Sequence, residues 1–375
     1  MVLPKLFERM GLIGGRRADV SSVEPLGVWS AADRPASVSA NQDAAVMSEV
    51  EGAIEQGDLI RAVDLLASVD RRRTSSELEV MLVDLRHAAA ALVVPRERAP
   101  WPPTYADPFV GLVGQLPVVE AREFDVEVLG GAVQHHGCLV VRGLFNEDQI
   151  SSTIHAIRSA EEQRVAPVSE SSTDRWYRPF PKASKFDQSL RQMVARSGGT
   201  WLADSPASCA LILEHLAAAG AIDAIAAHFG DRPLFSLQKS TLRHSEPIYN
   251  FAGWHQDGSF LGPEVRAMNV WVALTACGGD LRTPGIELVP KRIDKILPTD
   301  GGLGPASISD ASILRAAGDT PPIHPEFAPG DAMLFDERFL HRTHLTTDME
   351  VDRYALECWL FAPGHSLDKY LSFLV

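Results

Sequence analysis

Cysteine is scarce in this chain, with four among 375 residues, at positions 138, 209, 277 and 358. No two of them stand in C-x-x-C spacing, which excludes a zinc ribbon and a disulfide framework and matches a reducing cytoplasm. Positive charge is also in deficit: 35 Lys and Arg face 49 Asp and Glu, a net charge of −14. A balance this acidic excludes a general binder of nucleic acid. Long apolar runs are missing too. The longest tract, from Cys209 to Phe229, is broken by Glu214, His215, Asp223 and His228, so it reads as a buried helix pair and no membrane span is expected. The uncharged stretch from Met10 to Gly15 is too short for a signal-peptide core, and no export is expected.

What is present is a near-average globular composition, 45% hydrophobic and 22% charged, enough to bury a sizeable core. The length allows two or three compact units, or one large β-rich domain with a smaller appendage. Residues 16 to 44 are rich in Ser, Ala, Asp and Pro without periodicity, the composition of a partly disordered arm. From Ala45 to Val94 the apolar spacing turns helical, with Val46, Val50 and Ile54, then Leu59, Val63 and Leu66, then Leu78, Leu82 and Leu85. Three short helices are expected there. Gly57 at a helix turn and Ala62 at a close-packing position give a weak likeness to one tetratricopeptide unit, which makes residues 45–94 a candidate protein-docking segment. The prolines of Arg96 to Pro108 end the helical region. The boundary is drawn there, giving 1–98 as arm and helices and 99–375 as the main domain, which is expected to fold without residues 1–98.

Beyond it, GCLVVRGLFNEDQI reads as a buried strand, a turn, and a helix capped near Asn146. Strand-like runs follow at Leu234–Leu242, Arg266–Thr275, Ile286–Val289, Ala332–Phe335 and Tyr354–Phe361, separated by Gly/Pro turns. The fold class is α+β with a mainly β core, a barrel or jelly roll with flanking helices.

The sharpest chemical signal is Trp254-His255-Gln256-Asp257-Gly258. Alternate residues of an extended chain point the same way, so His255 and Asp257 can face one metal. An H-x-D pair alone is equally well a turn beside a tryptophan. A second histidine, His341, closes the run GDAMLFDERFLHRTH. Two imidazoles and one carboxylate form the facial triad that suits non-haem Fe(II), leaving an open face. Arg353, at the start of RYALECWLF, offers a guanidinium fork for a dicarboxylate.

Taken in order, GCLVVRGLFNEDQI, WHQDG, NVWVALTACGGD, LVPKR, FAPGDAMLFDERFLHRTH and Arg353 resemble the phytanoyl-CoA dioxygenase family over roughly residues 125 to 365. The resemblance implies a double-stranded β-helix and an Fe(II)- and 2-oxoglutarate-dependent dioxygenase that hydroxylates a small or carrier-linked organic substrate. It implies iron on His255, Asp257 and His341, 2-oxoglutarate on Arg353 beside Trp271, and dioxygen as the second co-substrate. Two departures stand out. Leu288-Val289-Pro290-Lys291-Arg292 replaces a proline-glycine-serine-histidine turn, and Thr346-Thr347-Asp348 replaces an asparagine and a serine that serve the co-substrate. Asp257, where halogenating members have alanine or glycine, favours hydroxylation. The reading from another class is a non-catalytic jelly-roll scaffold acting through its helical N-terminus.

Other polar residues take plainer roles. His344 is expected outside the metal set, and His135 and His136 in an exposed loop. Lys239 and Arg243 share a strand face with Phe235 and Leu237 and could reach an anionic co-substrate. Arg175, Trp176, Tyr177, Arg178, Lys182, Lys185 and Arg191 form a basic and aromatic cluster. If it forms a lid over the iron, the substrate is anionic.

Overall fold

The structure is a computed structural model that describes residues 40–72, 74–95, 101–165, 175–180, 188–247, 253–262, 265–301, 307–365 and 371–375. Most of the arm at 16–44, together with Lys182 and Lys185, lies outside the described residues.

Three helices open the described chain: α1 (Ala40–Glu55), α2 (Leu59–Arg72) and α3 (Ser76–Ala90). The first begins five residues before the apolar periodicity does, so the end of the expected arm is helical. Gly57 turns the chain between α1 and α2 at φ +78°, a conformation that costs a side-chain-bearing residue most. Val50, Ile54, Ala62, Val63, Leu66, Leu82 and Leu85 then meet in one buried cluster. Ser75 caps α3 by accepting from Leu78 N at 3.2 Å, with Glu77 and Glu79 in the first turn facing the positive helix end.

The remaining chain builds two sheets. Strands β1 (Val118–Glu120), β2 (Cys138–Arg142), β3 (Gly199–Trp201), β4 (Leu234–Ser245), β5 (Ala267–Ala273), β7 (Ala332–Asp336), β9 (Arg353–Phe361) and β10 (Ser372–Leu374) form the large sheet in the order β1-β2-β7-β5-β9-β4-β10, with β3 also on β4. All its pairings are antiparallel except β1 with β2. The small sheet pairs β6 (Gly285–Leu288) with β8 (His341–His344). Helices α4 (Val126–His136), α5 (Glu147–Val165), α6 (Gln188–Arg196), α7 (Pro206–Ala218) and α8 (Ala221–Phe229) flank the large sheet, and two short helices, α9 (Gly258–Leu261) and α10 (Asp310–Ala317), lie toward the small one.

Strand alternation separates two cores, one on each face of the large sheet. Met268, Val270, Val272, Leu334, Leu356 and Leu360 join the helices on one face. Ala267, Trp271, Ala273, Met333, Phe335, Trp359 and Phe361 join Ile286 and Leu288 of the small sheet on the other. Strands buried on both faces explain why these segments read as continuous apolar runs. The architecture is the jelly roll, a double-stranded β-helix, with its interior lying between the two sheets. Gly330 at φ +90° makes the turn into β7; a Cβ there would meet Phe145 O at 2.3 Å. Asp331 fixes that turn by accepting from Gly143 N (3.0 Å) and Ala328 N (2.8 Å) and by pairing with Arg142.

Several expectations change. His135 and His136 are not loop residues but end α4, where His135 Nε2 lies 3.0 Å from Tyr105 O and His136 Nε2 lies 2.9 Å from Asp107 Oδ1. Their partners come from the Pro-rich segment 30 residues upstream, which sequence proximity could not reveal. The same segment packs on the body of the fold: Trp101 meets His228 edge-on at 5.3 Å, and Tyr105 stacks on it at 5.6 Å. The expected lid is overturned. Arg175 pairs with Glu79 of α3, Arg191 grips Asp204 with two contacts of 2.7 Å, and the Phe180 ring joins the helix-side core against Phe373 at 5.8 Å. The described parts of this segment, 175–180 and 188–191, therefore pack on the helix side of the large sheet, away from the barrel interior.

Among the described residues no single helix is long and apolar enough to cross a membrane; α7 and α8 pass that test only together and bend by 76° at their junction. All four cysteines are buried and unbridged, and burial pushes the Cys209 thiol up to about 12 and that of Cys277 to about 11.

Helix α3 is bound closely to the barrel. Arg86 donates to Leu374 O at 2.6 Å, His87 Nδ1 lies 3.1 Å from Ser372 O, and Leu234 and Leu374 share the core of the three helices. Cutting the chain after residue 98 is therefore expected to lower the thermal midpoint measurably, because it uncovers Leu234 and Leu374 and takes Val83 out of the helix-side core. Calorimetry of the 99–375 fragment checks this, and an unchanged midpoint would show that the helices are an independent unit.

Candidate metal and co-substrate site

Backbone pairing brings His255 and His341 together. The two residues form an isolated antiparallel bridge, His255 N to His341 O at 3.0 Å and His341 N to His255 O at 3.1 Å. A reciprocal pair of this kind aligns the two Cβ vectors on one side, and the rings sit 4.5 Å apart. Asp257 follows two residues after His255 and turns into α9 through Gly258, whose missing Cβ leaves room for Ile296 (Cδ1 at 2.4 Å) and Glu337 O (3.1 Å). Gln256, between the two candidate ligands, points the opposite way and is fully buried. Its Nε2 donates to Arg338 O (2.6 Å) and Lys295 O (3.1 Å), and its Oε1 accepts from Leu297 N (2.7 Å). That side chain locks the H-x-D segment against two loops.

The donor atoms of His255, Asp257 and His341 all lie within 4.8 Å of one another. His255 Nδ1 stands 2.8 Å from Gly253 O and His341 Nδ1 stands 3.1 Å from Phe339 O. A carbonyl can only accept, so each Nδ1 carries the proton and each Nε2 keeps its lone pair for a cation. Burial, reinforced by the neighbouring His255 and only partly offset by Asp257, lowers His341 to about 4 and keeps it neutral. Asp257 is 2% exposed, and its Oδ2 has no hydrogen-bond partner. A buried carboxylate oxygen without a donor is costly and marks a place for a cation. The donor set and its protonation suit a divalent metal with one open face.

Arg353 opens β9 and is 2% exposed. Its Nη1 donates to Gly285 O at 3.0 Å and its Nη2 to Ser245 Oγ at 3.2 Å, while Nε has no partner. The guanidinium carbon lies 5.7 Å from the Trp271 ring centre. Among the described residues no carboxylate makes an ion pair with it, which leaves a buried cation with unused donors facing the interior. The hydroxyl beside Arg353 thus comes from Ser245 of β4. Thr346 instead bonds Asp348 at 2.5 Å in an exposed turn. His344 stands apart from the metal set, stacked on His324 at 4.6 Å and 3.7 Å from Glu287.

The strand carrying Lys239 and Arg243 departs from its expected alternation. A register shift between Ser236 and Thr241 in the β4–β9 pairing leaves Phe235 on the helix side, while Lys239 reaches Asp257 Oδ1 at 3.5 Å. Arg243 does not point to a free anion; its Nε donates to Glu357 Oε2 at 2.7 Å. Burial acts to raise the Glu357 carboxyl, but Arg243 and Lys239, with the Trp359 indole N–H at 3.1 Å, outweigh it and hold the group at about 2. Glu357 was not anticipated from the sequence. The signal was present, since it is a charge in an apolar strand, four residues from Arg353 and hence on the same face.

A family model described as phytanoyl-CoA dioxygenase matches residues 133–348. No curated protein matches the chain. Among solved structures, EctD from S. alaskensis with 2-oxoglutarate and 5-hydroxyectoine is similar at 16% identity, covering 74% of this chain and 89% of that one, with a TM-score of 0.43. SnoK, a non-haem alpha-ketoglutarate-dependent carbocyclase from nogalamycin biosynthesis, is 14% identical over 69% of this chain and 99% of its own, with a TM-score of 0.43. AviO1 from Streptomyces viridochromogenes Tue57 is 16% identical over 63% and 94%, with a TM-score of 0.38.

The approach to Arg353 carries a pH-sensitive contact. His244 stacks on Tyr354 at 4.4 Å and lies 3.1 Å from Glu161 and 3.0 Å from Asp352, the residue before Arg353. Burial lowers its pKa, yet the bonds to Asp352 and Glu161 prevail and raise it above the usual 6.5. A raised folded value means the stabilisation is fully present below the unfolded pKa and is lost as pH rises through the folded one. A His244→Gln variant is expected to lose less than about 1 kcal/mol, since the contacts are partly exposed. Denaturant unfolding at about pH 6 and about pH 9 checks this, and a gap between variant and parent that grows at the higher pH would contradict it.

Proposed function

The chain belongs to the phytanoyl-CoA dioxygenase family, and on that premise we propose that His255, Asp257 and His341 hold its iron and that Arg353 holds its 2-oxoglutarate. The protein is a non-haem Fe(II)- and 2-oxoglutarate-dependent oxygenase, with dioxygen as the second co-substrate. The observation that carries the residue assignment is the convergence of two neutral-tautomer imidazoles on a buried carboxylate with an orphaned oxygen.

Iron with 2-oxoglutarate and dioxygen supplies the oxidising equivalents for attack on a substrate C–H bond, releasing succinate and carbon dioxide. The side chains do the rest. The His255–His341 bridge and Gln256 fix the ligands before anything binds, so little reorganisation is needed. The Arg353 guanidinium, oriented by Gly285 O and Ser245, offers its remaining donors to a carboxylate, and Trp271 walls that end of the chamber. Phe335, Phe339 and Trp359 line the barrel beside His341 and exclude water from the reacting face.

Hydroxylation of a small or carrier-linked organic molecule is the reading of the reaction's outcome, supported by the carboxylate at 257 that occupies the third ligand position. Arg175 and Arg191 give no support to an anionic substrate, because they are held by Glu79 and Asp204.

Alanine at His255, Asp257 or His341 is expected to abolish succinate formation from 2-oxoglutarate and most iron binding, whereas His344→Ala keeps both; turnover surviving in His341→Ala would reassign the ligand. Arg353→Leu is expected to weaken 2-oxoglutarate roughly thirtyfold, about 2 kcal/mol for a buried charge-assisted contact, with iron affinity nearly unchanged. Arg353→Lys should recover only part of this, because an ammonium lacks the planar fork. Calorimetric titration of the iron-loaded protein under anaerobic conditions checks both, and equal co-substrate affinity in Arg353→Leu and the parent would overturn the assignment.

A further inference from the structure

Lys239 has no role in the ligand set, yet its ammonium stands 3.5 Å from Asp257 Oδ1, inside the barrel. It lies over the Phe260 ring at 4.3 Å and 5.8 Å from the Trp359 ring, aromatic faces that hold a cation without neutralising it. Asp257 is 2% exposed, and the partly buried Glu357 is already bonded by Arg243, Trp359 and Thr241. Lys239 thus contacts a buried carboxylate that keeps one oxygen without a hydrogen bond, and its charge also acts on the satisfied, partly buried Glu357.

Resting on the ligand assignment above, we propose that Lys239 is an internal placeholder: in the metal-free protein its ammonium is the counter-ion of Asp257, and an arriving divalent metal must displace it. A buried carboxylate left with no cation carries a large desolvation cost, which the lysine relieves while the site is empty. The other face of Asp257, Oδ2, lies 3.8 Å from His341 Nε2 and is left for the metal. Once a dication shares that carboxylate, the ammonium faces like charge at close range, and in a low-dielectric interior this repulsion is strong. Its flexible stem lets it withdraw, and Glu357 is the anion whose charge it already feels. The lysine therefore keeps the empty triad folded at the expense of metal affinity. Its role is to position and protect Asp257; it is not a ligand.

The test is titration of metal-free protein with Co(II) alone, followed by visible absorption and calorimetry, with no co-substrate present. Lys239→Met is expected to bind Co(II) roughly tenfold more tightly than the parent, by removing a competing charge, and to melt at a lower temperature when metal-free. Lys239→Arg, which keeps the charge, should not tighten. If the methionine variant fails to fold, Lys239→Gln gives the same readout. Unchanged or weaker Co(II) binding in a folded Met or Gln variant would overturn the proposal. A parent protein that binds no Co(II) would overturn the ligand assignment itself, and the competition with it, a result that the variants cannot mimic.

Discussion

The site depends on one backbone contact, the reciprocal hydrogen-bonded bridge between His255 and His341. Eighty-six positions separate the two histidines in sequence, and only the register of the barrel brings them together. A slip of one residue at either strand would turn one imidazole to the opposite face, since side chains alternate with period two. The surrounding structure reads as protection of that register. Gln256 ties the intervening backbone to the 295–297 and 338 loops, Gly258 lets the chain turn tightly after Asp257, and β6 pairs with β8 from Leu288↔His341 onward.

Charge placement inside the barrel is the second constraint. Arg353, Arg243 and Lys239 share the interior with Glu357 and Asp257. Buried ions are tolerated only when each finds a partner or hydrogen bonds. Glu357 and Arg243 satisfy one another and are structural. Arg353 and Asp257 are each left partly unsatisfied, and these two carry the proposed binding roles. Incomplete satisfaction in an otherwise complete interior is the mark that separates the site from its frame.

The barrel and the proposed metal set were largely legible in the sequence, because both follow local rules. Apolar runs bounded by turn residues mark β4, β5, β7 and β9 to within a few residues, and H-x-D needs only an extended chain to aim two side chains together. What escaped was set by contacts distant in sequence. The acidic partners of Arg175 and Arg191 lie in α3 and after β3, so two arginines of a run that looked free and basic are neutralised. The β4 irregularity changed which side chains share a face, and no composition signal precedes it. Strands β1 and β10 are three residues each and carry too little pattern to be read. The helices at 40–90 were visible as helices, but their grip on the barrel through Arg86 and His87 was not, because it uses main-chain acceptors at the far end of the chain.

The central claim is that one interior pocket joins the His255–Asp257–His341 set to the Arg353 end. It is tested most directly by anaerobic optical titration of the protein with Fe(II) and 2-oxoglutarate. A weak visible charge-transfer band is expected only when both are present, with Arg353 in its proposed role of holding the far carboxylate of the co-substrate. Iron that binds without ever giving that band, in folded protein with 2-oxoglutarate in excess, would contradict it.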